Sequence, residues 1–170
     1  IDENGNIRSE ETHEFEDSEL GRIPVEWKVE KLGKLILAVD PQPDHRTPPV
    51  SFDGVPYVGI SDVNNDLIDF DNSRKVGFNV LEKQMNSFTI NQGDIIFGKI
   101  GTIGKPTILP DFEKRSYTLS ANVILIKPYE SASFIFFTLT SEYILNQIKL
   151  AIHSTSQPAF GMGKIRNLEI

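Results

Sequence analysis

The segment from Gln92 to Leu109 constrains the fold more than any other. Asp94–Ile100 is rich in β-branched and aromatic residues, Gly101-Thr102-Ile103-Gly104 follows, and Lys105–Leu109 returns as a second β-rich run. Two such runs joined by a short glycine-containing segment predict a β-hairpin. A phosphate-binding loop needs wider glycine spacing, a Ser or Thr after its lysine and a following helix, whereas Pro106 follows Lys105. The glycines are therefore interpreted as those of a tight hairpin turn.

The remaining patterns predict a mixed α+β fold with several short strands and one main buried helix. The helix is expected over Ser133–Ile152, where polar residues fall within one narrow arc of an otherwise apolar wheel. Trp27, the single tryptophan, is expected to anchor the core. Further strands are predicted at Ile23–Val29, Val55–Ile60 and Leu119–Lys127, a short helix or a strand at Lys31–Val39, and a weak helix at Val80–Ser87.

Charge is distributed unevenly along the chain. The net charge is −7, but residues 1–22 hold eight acids and two bases, so the rest is close to neutral. This balance neither supports nor excludes nucleic-acid binding. We expect an acidic linker at 1–22, a recognition domain at 23–163 and the start of a following helical segment at 164–170. Because the chain begins with Ile rather than Met, we also expect it to be part of a longer protein.

Other classes of protein are disfavoured because their characteristic residues are missing. The chain has no cysteine, no apolar run long enough to cross a membrane and no signal peptide, a pattern that fits a cytoplasmic protein. His13, His45 and His153 lie far apart and lack the spacing of a helical zinc site. Asp111, Glu113 and Lys114 lack the spacing of a nuclease site. We therefore expect no catalytic residue, metal or cofactor.

An ordered set of short motifs resembles the target-recognition domains of type I restriction–modification specificity subunits. Each motif is weak alone, and the order of the set carries the resemblance. The closing motif departs from the Gly-Ser-Thr-Gln usual in the family, because it has an extra serine and a histidine in place of the glycine. The motifs are Leu20–Val29, with Ile-Pro before Trp; Pro56-Tyr57-Val58 before Ser61-Asp62-Val63; Gly93–Phe97 with Gly101 and Gly104; Leu119–Val123; and Ile152–Pro158.

The resemblance implies a non-catalytic domain that reads one half-site of a bipartite double-stranded DNA target. It implies partners as well: a methyltransferase (M) subunit for the chemistry and a restriction/translocase (R) subunit for cleavage. Arginine and lysine side chains in loops and at the hairpin are the expected DNA contacts. These are Arg46, Arg74, Lys75, Lys99, Lys105, Lys114 and Arg115, together with Ser154, Thr155 and Gln157 in the closing motif.

Two alternatives from other classes stay open at this point. The domain could be a protein-interaction module within such a complex that does not read bases itself. It could also be an enzyme whose site has no recognisable motif. Binding to the M subunit without DNA preference would favour the first alternative, and metal-dependent nicking of plasmid DNA would favour the second.

Overall fold

The structure, a computed structural model, describes residues 2–44, 46–65, 67–152 and 159–170. Short 3-10 helices cover Leu32–Lys34 and Ile60–Asp62. The strands are Phe15–Ser18 (β1), Gly21–Pro24 (β2), Ile36–Val39 (β3), Val50–Val58 (β4), Val63–Asn64 (β5), Leu67–Ile68 (β6), Lys75–Val76 (β7), Ile95–Gly98 (β8), Pro106–Ile108 (β9), Thr118–Leu119 (β10) and Val123–Pro128 (β11). The α-helices are Phe78–Met85 (α1), Ala132–Thr140 (α2), Glu142–Ile152 (α3) and Met162–Arg166 (α4). The predicted mixed α+β class is confirmed.

A four-stranded antiparallel sheet in the order β3-β11-β8-β9 forms the centre of the domain. Successive side chains of a strand point to opposite faces. On β8, Ile95 and Phe97 pack with the helices in one apolar cluster, whereas Ile96 packs in a second cluster on the other face. The predicted hairpin is confirmed, because β8 pairs with β9 from Ile95 opposite Ile108 to Phe97 opposite Pro106.

A three-stranded sheet in the order β10-β4-β7 lies beside the second cluster. The strand β10 runs parallel to β4, with Thr118 opposite Tyr57, and β7 runs antiparallel to β4. This parallel pairing matters for the site, because it places the residues that follow β4 beside those that follow β10.

The long helix predicted at Ser133–Ile152 is two helices, α2 and α3. Ser141 between them has an extended backbone, and its hydroxyl accepts a hydrogen bond from the Ile144 amide (3.3 Å), so it caps α3. The predicted burial is also wrong, because the apolar side chains of Phe134, Phe137 and Leu150 are exposed. The helical-wheel projection gave the wrong burial because it assumed a single helix axis, whereas the chain breaks at Ser141.

Two further expectations are corrected by local turns. Trp27 does not anchor the core: its side chain is 51% exposed, because β2 ends at Pro24 and the Trp27 amide donates to the Pro24 carbonyl in a turn. The strand predicted at Leu119–Lys127 is interrupted after β10. There the Ser120 hydroxyl accepts a hydrogen bond from the Asn122 amide (3.2 Å), and such local bonds compete with strand pairing.

The two ends of the chain are more ordered than the sequence indicates. Within the acidic segment, β1 pairs with β2 as an antiparallel hairpin. Ile165 and Leu168 near the C-terminal end are buried in the first apolar cluster, and the Glu30 and Ile170 backbones exchange hydrogen bonds. The domain limits proposed from sequence stay a prediction.

Candidate nucleic-acid interface

A polar cleft of about 220 Å³ opens where the three-stranded sheet ends. Its walls come from the loop before β4, the end of β4 and the turn after it, the loop between β10 and β11, and the segment before β7. Side chains that can donate and accept hydrogen bonds line it. The lining residues are Thr47, Tyr57, Gly59, Ser61, Asp62, Arg74, Ser120, Ala121 and Asn122.

Strand pairing fixes the geometry of this cleft. The Ser120 amide extends the parallel ladder by donating to the Val58 carbonyl (2.8 Å). Tyr57 supports the loop between β10 and β11, because its hydroxyl accepts a hydrogen bond from the Ala121 amide (3.0 Å). Asn122 is left at the exposed rim of the loop. A base-reading side chain needs a rigid support of this kind.

Asp62 supplies the acidic side of the cleft. Its Oδ2 atom accepts a hydrogen bond from the Gly59 amide (2.7 Å), which fixes the carboxylate at the start of the 3-10 helix. Partial burial raises the pKa of the Asp62 carboxyl; the Gly59 hydrogen bond opposes this rise and the nearby charge of Asp69 adds to it. A desolvated acceptor gains more from a bound donor than a carboxylate in open water does.

Arg74 supplies the basic side. Its Nη2 atom donates to the Pro48 carbonyl (2.5 Å), which ties the guanidinium to the loop before β4. A guanidinium has five N–H donors in a fixed fork, so one such bond leaves donors for a ligand. The cleft therefore pairs an arginine fork with a carboxylate, a serine and an amide.

Three of the basic residues that the sequence predicts as DNA contacts lie in or next to the segments that form this cleft. Arg74 lines the cleft, Lys75 is the next residue and is exposed, and Arg46 is exposed one residue before Thr47 in the cleft wall. Among the described residues, neither Arg46 nor Lys75 makes an ion pair with an acid. Within this part of the chain, no acid therefore neutralises the charges of Arg46 and Lys75.

Lys99 has a partner within the fold. Its Nζ atom lies 2.8 Å from Asp40 Oδ2, and the two side chains are only 7% and 14% exposed. A phosphate contact would break this buried pair, so we remove Lys99 from the proposed contacts. The hairpin turn itself is tight: a Cβ built on Gly98 would lie 1.9 Å from the Thr102 carbonyl oxygen, so only glycine fits there.

The other predicted bases lie elsewhere or have partners. Lys105 is half-buried and donates to the Val63 carbonyl (3.0 Å), beside the residues that follow Asp62. Arg115 pairs with Asp71 (2.6 Å) and covers the ring of Phe70, while Lys114 lies 3.9 Å from Asp111. Ser154, Thr155 and Gln157 lie outside the described residues.

The sequence reasoning missed several residues of the cleft as site residues. Ser61 and Asp62, like Ser120 and Asn122, had been noted only as parts of motifs that mark a turn and a strand. The signal that could have found them is the presence of small polar residues directly after two strands. Their convergence could not be read from sequence, because it depends on the pairing of β10 with β4.

Two features are absent from the described part of the chain. No group of three or more metal-ligating side chains occurs among residues 2–44, 46–65, 67–152 and 159–170. Within the same ranges, no helix is both long and apolar enough to span a bilayer.

A family model for the type I restriction modification DNA specificity domain matches residues 24–170. The chain belongs to this family. The specificity domain therefore serves DNA recognition in type I restriction–modification systems, and its family is non-catalytic.

Solved structures support the same fold for this specificity domain. The HsdS subunit from Thermoanaerobacter tengcongensis is similar with a TM-score of 0.56 and 13% identity, covering 87% of this chain and 33% of that one. A chain from a structure on complex assembly and conformational transition of the type I R-M system has a TM-score of 0.54 and 20% identity, covering 86% and 38%. The specificity domain thus spans 33% and 38% of these two chains, and no curated protein matches it.

Proposed function

We propose that this specificity domain reads one half-site of a bipartite DNA target, as part of the specificity subunit of a cytoplasmic type I complex. The observation that carries the proposal is the polar cleft, which Arg74 and Asp62 both line and which the exposed Arg46 and Lys75 adjoin in sequence. The proposed partners are duplex DNA, a methyltransferase subunit that supplies the chemistry and a restriction/translocase subunit that cleaves.

The residues divide into two roles. Sequence is read at base edges, whereas phosphate contacts set the register. Arg74 is suited to the two acceptors of guanine, Asn122 to adenine and Asp62 to the amino group of cytosine. Arg46, Lys75 and Lys105 are proposed as phosphate contacts. Lys114, Arg115, Ser154, Thr155 and Gln157 remain weaker candidates, since the first two have acidic neighbours and the last three are not described.

Charge supports the participation of a partner. Electrostatic attraction to phosphate supplies most of the sequence-independent affinity for DNA, yet the domain body is close to neutral. A few basic side chains around one cleft can fix the position of the domain along the DNA, but they add little electrostatic attraction to the phosphates. We therefore propose that tight binding requires the methyltransferase subunit on the same DNA.

The test is selection from a pool of random duplexes by the complete specificity subunit with its methyltransferase subunit. We expect enrichment of one short fixed sequence. Arg74→Ala should then lower the preference for that sequence by about 1–3 kcal/mol at one position, as loss of a bidentate base contact does. The control is Lys34→Ala, because Lys34 is an exposed cation that pairs with Glu30 and is not part of the cleft lining.

Two results would contradict the proposal. An intact complex that enriches no sequence would favour the protein-interaction module instead. An unchanged sequence preference in Arg74→Ala, with normal folding, would move base reading away from the cleft.

A further inference from the structure

A four-residue turn projects from β4 next to the cleft. Val50 and Val55 both pair with Val76 of β7, so residues 51–54 loop out of the strand. A Cβ built on Gly54 would lie 3.2 Å from the Ser51 Cβ and 1.9 Å from the Val76 carbonyl oxygen. Ser51 and Gly54 thus close the base of the turn, and Gly54 has no room for a side chain. Phe52 and Asp53 form its tip.

Phe52 is the unusual residue of this turn. Its side chain is 92% exposed, the highest value among the exposed large hydrophobic residues of the described chain. Strand pairing fixes both ends of the turn, so the exposed ring lies on a supported segment of backbone. A rigidly displayed aromatic ring is suited to insertion into a partner.

The position of the turn points to DNA as that partner. Val76, which pairs with both ends of the turn, directly follows the exposed Lys75 and is two residues from Arg74 in the cleft. On the other side, Thr47 of the cleft wall precedes Phe52 by five residues, which an extended chain spans in at most about 18 Å. At about 3.4 Å per base pair, one short stretch of duplex can contact both the cleft and the turn.

The chemistry of the tip favours the bases over the phosphates. Asp53 is exposed beside Phe52, and a carboxylate is repelled by the DNA backbone. An aromatic ring has no donor for phosphate, but it can stack on a base or enter a base step as a wedge. Arg46, Arg74 and Lys75 lie close to the turn in sequence or by strand pairing. Their positive charges can bind the phosphate backbone next to such an insertion.

We propose that Phe52 is a wedge residue that enters one base step of the target duplex beside the bases read in the cleft. This inference rests on the proposed function and adds a specificity-determining residue to it. Because unstacking a base step is easiest at flexible pyrimidine–purine steps, the wedge selects for such a step at one end of the half-site.

The experiment uses the complete specificity subunit with its methyltransferase subunit and the sequence that the wild type selects. 2-Aminopurine is placed at each position in turn, and its fluorescence reports unstacking. Besides the base that the methyltransferase itself extrudes, we expect a rise at one step with the wild type that is lost in Phe52→Ala. This variant should also bind the selected duplex roughly tenfold more weakly, as loss of one stacked base does. Phe52→Trp should retain both signals.

Phe137→Ala is the matched control, since Phe137 is 69% exposed on α2 and lies outside this turn. It should change neither signal. Asp53→Asn should strengthen binding to all duplexes without changing the unstacked step. Melting temperatures of the variants should match that of the wild type, because neither ring supports the core.

The outcomes separate the two proposals. A wild type that selects no sequence would overturn both. A wild type that selects a sequence, with Phe52→Ala binding it equally well and no unstacked step, would overturn the wedge alone. Loss of the methyltransferase subunit from Phe52→Ala would make Phe52 a protein contact and would also overturn the wedge.

Discussion

The two main sheets of this domain differ in how much of their surface faces solvent. In the four-stranded sheet, Ile95, Ile96 and Phe97 are all fully buried, since apolar clusters cover both faces. In the three-stranded sheet, β4 leads from the exposed Phe52 turn to the polar cleft, and Lys75 of β7 is exposed. One sheet provides the support, and the ends of the other carry the side chains available to DNA.

This difference teaches where substitutions should act. Side chains within a close-packed interior determine stability, whereas side chains at the end of a supported sheet can change without loss of the fold. A recognition domain needs both kinds of position. The residues that contact DNA can change with the target sequence only if the stability of the core does not depend on them.

The largest expected effect tests this separation with two phenylalanines. Phe97 is fully buried on β8 and Phe52 is exposed on β4. Phe97→Ala should lower the free energy of unfolding by about 3–5 kcal/mol, through lost burial and a cavity. Phe52→Ala should change it by less than about 0.5 kcal/mol. Urea unfolding followed by circular dichroism measures both, and comparable losses would show that the turn is part of the core.

The second expected effect concerns two lysines that flank the same hairpin turn. Lys99→Met removes one partner of a buried ion pair and should cost about 3 kcal/mol of unfolding free energy, because the Lys99 cation no longer offsets the desolvated charge of Asp40. Lys105→Ala should leave stability nearly unchanged and should reduce the slope of log affinity against log salt by about one unit.

Salt titrations of the complex and urea unfolding of each variant separate these two roles. In the double variant Lys99→Met, Asp40→Leu, most of the lost stability should return, since no charge is then left buried. A reduced salt slope in Lys99→Met, with stability intact, would restore Lys99 to the DNA contacts. An unchanged slope in Lys105→Ala would remove Lys105 from them.

These lysines also show what the sequence could and could not predict. The β8–β9 hairpin is local, so strand composition and glycines were enough to predict it. Lys99 and Lys105 look equivalent in that hairpin, and only Asp40, 59 positions earlier in the chain, distinguishes them. The family resemblance was likewise readable, because it depends on the order of motifs and not on contacts.

The cleft was beyond prediction for the same physical reason. Its walls meet because Thr118 pairs with Tyr57, and a two-residue parallel strand such as β10 leaves no periodic pattern in the sequence. The helix break at Ser141 and the exposure of Trp27 depend on single hydrogen bonds. The type of each helix or strand was therefore predicted better than its end points. The residues of the cleft were predicted less well than either.

The smallest expected effect concerns the pH dependence that Asp62 gives to the exposed sheet. Burial raises the pKa of its carboxyl above the unfolded value of 3.8, and the charge of Asp69 adds to this rise. Between the two pKa values the folded state binds more protons, so the contribution of Asp62 to stability falls as pH rises through that window. Asp62→Asn keeps an oxygen for the Gly59 amide and has no charge to desolvate.

The difference in unfolding free energy, Asp62→Asn minus wild type, should therefore be near zero below pH 3.8 and should become positive as the pH rises through the folded pKa. Urea unfolding across this range measures the difference, and a difference independent of pH would show that the carboxylate is not desolvated. A positive difference at neutral pH means that the domain holds a charge in its cleft at the expense of stability. Such a charge is the kind of group that recognition sites retain for binding.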